Sequence, residues 1–210
     1  MTEHLGIVEI LGVAGSVSLL AGWRLYLCVL ATGLAMHFGV LPLPEHLKAL
    51  QVLASPWVMG VAGFAAFMEF FADKIPWLDT VWDTVHTLIR PLGGALLALA
   101  VIDPSDPATQ AIAFILGGGA SLLAHGGKAS ARAVVNTSPE PFSNIAVSTV
   151  EDVATTGLLY LAYAHPVVAG GVALALLALS VLLLVMAWRV LRRIFLKVQP
   201  EPAAPVTIEG

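Results

Sequence analysis

Six stretches of this chain are apolar over lengths that suit a membrane crossing, which takes about 20 mostly apolar residues. They are Leu5–Gly39, Pro56–Phe71, Trp77–Ile102, Ala108–Val135, Asn144–Ala164 and Pro166–Phe195. The pattern predicts an all-α, polytopic membrane protein of about six segments. The first stretch is long for one crossing and is interrupted at Gly22, Trp23 and Arg24. A kinked, broken or re-entrant helix is therefore expected there. Pro44–Ala54 is short and amphipathic and predicts an interfacial helix. Residues 1–198 are expected to form one domain. The polar, Pro-rich tail Gln199–Gly210 is expected to be disordered.

Three short similarities suggest a weak internal repeat. Ser18–Gly22 echoes Ser121–His125, Pro56–Gly63 echoes Pro166–Ala173, and Thr80–Asp83 echoes Thr149–Asp152. Many transporters are built from inverted repeats with the site at the repeat interface. With single crossings throughout, the first pair would run oppositely and the second alike. The repeat therefore requires one re-entrant segment; otherwise the similarity is accidental.

Composition supports the membrane class: 58% of residues are hydrophobic, 11% are charged and mean hydropathy is +0.89. The net charge of −4 leaves no basic surface for nucleic acid. The one basic cluster, Arg189, Arg192, Arg193 and Lys197, places the C-terminus in the cytoplasm, because cytoplasmic segment ends are enriched in Lys and Arg. Counting back through six crossings puts the N-terminus there too, with the loops that hold Lys74 and Lys128/Arg132. The single cysteine, Cys28, excludes an internal disulfide and a cysteine-based zinc site. The N-terminus has no basic n-region, so the first apolar stretch is expected to remain in the mature protein.

The charges that do occur lie where they are expensive. One charge near the bilayer centre costs about 2.5–3.5 kcal/mol on insertion scales. Glu69 and Asp73 end the second segment, and Asp79, Asp83, His86 and Arg90 open the third. His125, Lys128, Arg132 and Asn136 close the fourth, and Asn144, Ser148, Glu151 and Asp152 open the fifth. At 100° per residue, Asp79, Asp83, His86 and Arg90 fall within about 60° of arc. Ser121, His125, Lys128, Arg132 and Asn136 span about 80°, and the stripe on the fifth segment about 100°. Each helix thus carries one polar stripe. Acidic and basic stripes that met in a bundle would offset each other's desolvation, and one cytoplasm-facing pocket could collect them all.

Asp79, Asp83 and His86 share a helical face and could hold a divalent metal, the one cofactor these residues suggest. The alternative is that the acids pair with Lys74, Arg90, Lys128 and Arg132. Lys128 and Arg132 with Asn136 could hold a phosphate, and Gly126-Gly127 could let a backbone or head group approach. The same two cations could equally be helix-end anchors. Ser143 or Asn144 could cap the fifth helix. Arg24 marks a pathway or pairs with Glu9.

The strings Glu69-Phe-Phe-Ala-Asp-Lys-Ile-Pro76 with Asp79, Asn136-Thr-Ser-Pro-Glu-Pro-Phe-Ser-Asn144 and Val147-Ser-Thr-Val-Glu-Asp152 resemble the bacterial membrane family catalogued as domain of unknown function 4126. The Gly12–Arg24 stretch and Ala54-Ser-Pro-Trp57 fit it as well. The resemblance implies a bacterial inner-membrane protein and carries over no activity or catalytic residue. The residues then favour a small transporter or channel whose charged cavity takes an ion or small charged solute. A membrane enzyme or binding protein acting on a phosphorylated lipid with a divalent metal is the second reading. A structural protein with a buried salt-bridge network is the third. The bilayer is the expected partner, and the many Gly and Ala residues allow a homo-oligomer.

Overall fold

The computed structural model describes residues 6–40, 45–102, 107–137 and 142–197. The tail Gln199–Gly210 and the loop prolines Pro139 and Pro141 lie outside the described residues. Six α-helices form: α1 (Ile7–His37), α2 (Pro56–Ala72), α3 (Pro76–Val101), α4 (Pro107–Val135), α5 (Phe142–Ala164) and α6 (Pro166–Lys197). A 3₁₀ segment, Glu45–Ala54, connects α1 to α2. Proline opens α2, α3, α4 and α6, where its missing N–H costs nothing and its fixed φ suits a first turn. Five helices are long and apolar enough to cross a membrane, and α2 is a shorter apolar helix.

α1 is the central element. Its side chains Val13, Val17, Leu19, Leu20, Ala21 and Cys28 are almost fully buried, and it packs against every other element. The remaining helices turn large apolar residues outward, among them Phe64, Leu88, Ile115, Val153 and Leu174. In a soluble protein these would be a liability; here they are the surface that meets lipid.

The sequence break in α1 is a reversal. Arg24 alone leaves helical geometry, with φ −144° and ψ 68°. Before it, Gly12 lies against Pro166 at the start of α6, Ser18 Oγ donates to Gly94 O at 2.9 Å, and Gly22 abuts Ser121 of α4. After it, Leu30 faces Gly63, and Gly33 abuts Leu53 and Met59 at the start of α2. Thr32 Oγ1 hydrogen bonds Tyr163 Oη, at the end of α5, at 3.1 Å. Residues 12 and 32 would be about 30 Å apart on a straight helix, yet both touch residues beside the α5–α6 junction. α1 therefore descends into the bundle, turns at Arg24 and returns to the end from which it started.

This path corrects two expectations. α1 qualifies as a crossing by length and hydropathy, but composition carries no direction, and the chain crosses the bundle with α2 to α6 only. The described ends of the chain therefore lie at opposite ends of the bundle. The three short similarities fall on pairs that run the same way, the first half of α1 with α4, α2 with α6 and α3 with α5. They are not inverted copies, and they follow in a different order along the chain.

Close crossings hold the re-entrant helix in place. A Cβ on Gly22 would drive into the carbonyl of Ser121. Gly127 packs directly on Ser180 of α6, and Gly126 on Leu184; the neighbour admitted by this glycine pair is a helix, not a head group. Gly22→Ala should destabilise the protein by about 1–3 kcal/mol, the usual range for overpacking. Gly15→Ala, where a Cβ meets nothing within 4 Å, should be close to neutral. Thermal unfolding of the two variants in detergent checks the contrast.

Candidate functional site

The reversal of α1 leaves backbone groups unpaired inside the bundle, and cations meet them. Lys128 Nζ donates to Trp23 O at 3.2 Å, and Arg90 Nη1 reaches Gly22 O at 3.5 Å. Positive charge is favoured at the carboxyl end of a half-helix, where unpaired carbonyls gather. Around this break the ionisable side chains form three knots, each built on an arginine.

The first knot surrounds Arg24, which is 1% exposed. Its guanidinium pairs with Asp73, with Glu151 at 3.1 Å and through Nε with Asp152 at 3.1 Å. It also donates to Ser148 O and Oγ, both at 3.1 Å. Lys128 joins the same acids, 3.5 Å from Asp73 and 3.5 Å from Glu151. Asp73 lies in the α2–α3 connection. Burial opposes its ionisation, but Lys128 and Arg24 outweigh burial and hold its carboxyl below the usual carboxylate range. A depressed carboxyl contributes stability at neutral pH and loses it only as the pH falls through the lowered value.

The second knot surrounds Arg90. Nη2 pairs with Glu69 Oε1 at 2.5 Å, and Nη1 contacts Asp83 Oδ1 at 3.0 Å and His125 Nδ1 at 2.7 Å. A guanidinium only donates, so His125 Nδ1 accepts. Nε2 then carries the proton, directed to Asp83 O at 3.1 Å and Thr87 Oγ1 at 3.2 Å. His125 is held as the neutral tautomer. Ser121 Oγ donates to Arg90 O at 2.8 Å and ties α3 to α4.

The third knot closes the charged end of the bundle. Arg132 donates to Asp79 Oδ1 at 3.0 Å, to Asp73 O and to Asn144 O at 3.4 Å. Asn136 Nδ2 donates to Asp79 Oδ2 at 2.7 Å. The side-chain amide of Asn144 is fully buried and makes no hydrogen bond among the described residues. α5 begins at Phe142, so Ser143 and Asn144 stand inside its first turn rather than ahead of it as caps.

All fourteen side chains singled out from the sequence sit at or near this network, but they do not share one chamber. Asp79, Asp83 and His86 lie on one face, yet each goes to a different partner. Asp79 meets Arg132 and Asp83 meets Arg90. His86 stacks on Trp82 at 4.3 Å between centroids, donates to Trp82 O at 2.7 Å and accepts from Tyr26 Oη at 2.9 Å. Among the described residues no three His, Cys, Asp or Glu side chains are grouped to hold a metal. Lys128 and Arg132 already serve carboxylates and backbone carbonyls, not an open anion site. Glu9 hydrogen bonds the backbone of Gly6, and Arg24, about four turns further on, takes its partners from the α2–α3 connection and α5. The sequence signal for Arg24 was its place in the longest apolar run; nothing local to it pointed to those partners.

Two cavities border the network among the described residues. One of about 490 Å³ is lined by Arg24, Glu69 and Asp152 together with apolar residues of α1, α2 and α5. A smaller one of about 150 Å³ lies between α3 and α4 beside Asp79, Asp83, Arg132 and Asn136.

Removing one partner of a buried ion pair leaves a charge with nothing to offset it. Arg90→Met strands Glu69 and Asp83 and should cost about 3–5 kcal/mol. Arg189→Met, outside the network, should change little. Comparing unfolding midpoints of the two variants in the same detergent tests whether the network is formed as described.

The protein is a multi-pass membrane protein by helix length and hydropathy, with a salt-bridge network buried among its helices. No curated protein and no solved structure matches it. The profile of one family, described as a domain of unknown function (DUF4126), matches residues 11–190. With most of its length matched and its polar strings inside that span, the chain belongs to the DUF4126 family.

Proposed function

We propose that this protein is a transporter that moves a cation across the membrane in exchange for protons. One observation carries the reading. From the break in α1 to the charged end of the bundle, six carboxylates face four cationic side chains within ion-pair distance. Lys74 at the edge offsets part of this excess, and the remaining negative charge is too costly to stay bare in a low-dielectric bundle. It is neutralised by a proton or by a bound cation, and exchange between the two is the elementary step of coupled transport. A broken helix near mid-bundle with ionisable groups gathered at its break is the setting in which many transporters hold their coupling ions.

The basic end of α6 fixes the orientation in this reading. Arg189, Arg192 and Arg193 face the cytoplasm, which puts the Arg132 knot at the cytoplasmic end and the start of α1 on the other side. The lipid-phosphate enzyme is less favoured, because Asp79, Asp83 and His86 are committed to separate partners.

The test is proton flux in liposomes. Acid-loaded vesicles carrying the purified protein should alkalinise inside when a suitable cation is added outside. The panel should include Na⁺, K⁺, Mg²⁺ and organic cations. Asp152→Asn, which removes a partly exposed carboxylate while keeping its shape, should slow the flux at least about tenfold, the scale of a lost charge interaction of about 1.4 kcal/mol. Protein-containing vesicles that behave like empty ones for every cation would leave only a structural network.

A further inference from the structure

The 490 Å³ cavity combines features that none of the three knots has alone. Its floor is Arg24, Glu69 and Asp152, and its walls include Ala66, Phe70 and Val153. It lies between the second half of α1, α2 and α5. α2 packs on α1 and α5 packs on α1 and α6, but α2 and α5 are at most weakly packed on each other. The cavity therefore opens sideways, past Phe70 and Val153, whose side chains are exposed on the lipid-facing surface.

The surplus of negative charge belongs to the two knots that meet at this floor. Around Arg24 and Lys128 there are three acids, Asp73, Glu151 and Asp152. Around Arg90 there are two, Glu69 and Asp83. Counting ion pairs alone, each knot carries one carboxylate more than it has cations, with Lys74 near enough to Asp152 and Asp73 to offset part of the excess, whereas Asp79 and Arg132 balance. Glu69 is almost fully buried, and only its Oε1 is used, by Arg90. Its other oxygen has no hydrogen bond shown among the described residues, and the residue lines the cavity with Asp152. The aromatic wall suits a cation as well: Lys74 Nζ already sits 3.0 Å above the Phe70 ring, at the cavity's edge.

We infer that this cavity binds a lipophilic organic cation of the quaternary-ammonium type, which enters sideways from the bilayer. The floor offers negative charge, and the walls offer apolar and aromatic surface with few oxygens for a hydrated metal ion. An inorganic cation would lose its water there without replacement. An organic cation brings its own apolar coat and is attracted by both carboxylate and ring face. The inference deepens the transport reading by naming the substrate class of the same cluster.

Binding of tetraphenylphosphonium to the purified protein in nanodiscs, measured by isothermal titration, tests it separately from transport. Saturable binding is expected, weakened at least tenfold by Asp152→Asn and by Glu69→Gln. It should also be weakened by Val153→Trp, which fills the opening from an exposed position and spares the ion pairs. If Glu69→Gln does not fold, Val153→Trp still decides the matter. Absent binding, or equal binding to the wild type and Val153→Trp, overturns the inference. Proton flux driven by Na⁺ or K⁺, with tetraphenylphosphonium neither binding nor competing, would refute the substrate class and leave the transport reading in place. Binding that behaves as expected, with no flux for any cation, would do the reverse.

Discussion

A guanidinium keeps its charge in any folded protein, so an arginine inside an apolar bundle must be brought to acids or not be there at all. Arg24 stands at the one residue of α1 that is not helical, and its three carboxylate partners come from the α2–α3 connection and from α5. Satisfying that single side chain brings α1, α2 and α5 together at one point. The turn frees carbonyls at Gly22 and Trp23, which draw in Arg90 and Lys128. Arg90 in turn holds Glu69, Asp83 and His125 in place, and Lys128 holds Asp73 and Glu151. The rest of the network follows from where α1 breaks.

Interleaved small residues make that arrangement possible. Gly12, Gly22 and Gly33 are the contact points of α1 with α6, α4 and the 3₁₀ segment, and they allow a re-entrant helix to occupy the centre of the bundle with no exposed residue from Gly12 to Leu25. Apolar packing of Val13, Val17, Leu19 and Leu20 surrounds the outer half of α1, while the ionic groups are gathered at its tip. Among the described residues, the buried side chains are thus mostly apolar at one end of the bundle and densely charged from the middle to the other. This gradient is what a chain needs if it is to carry charge part-way through a bilayer without exposing it to lipid.

Helix positions and the polar stripes were legible in the sequence because both are local. Hydropathy marks a helix wherever it lies, and Asp79, Asp83, His86 and Arg90 share a face through the 100° step alone. The return of α1 was only partly legible. Gly22-Trp-Arg24 announced a break, but whether a broken helix continues or reverses depends on contacts with Gly63, Met59 and Tyr163, far away in the chain. The partners of the three metal-type residues were not legible for a similar reason. Three ligating types on one face say nothing about which arginine reaches each of them first, and Arg132, Arg90 and the Tyr26–Trp82 pair divide them.

The central claim is that the broken tip of α1 holds more acids than the cations around it, Lys74 included, can balance, so the network is never complete without a proton or a guest. Infrared difference spectroscopy of the purified protein tests this directly. In a buffer whose only cation is N-methylglucamine, at neutral pH, a carbonyl band of protonated carboxylic acid should be present. It should shrink in Asp152→Asn and in Glu69→Gln, and fall when a cation binds. A spectrum with every carboxylate ionised at neutral pH in the absence of any bound cation would contradict the account.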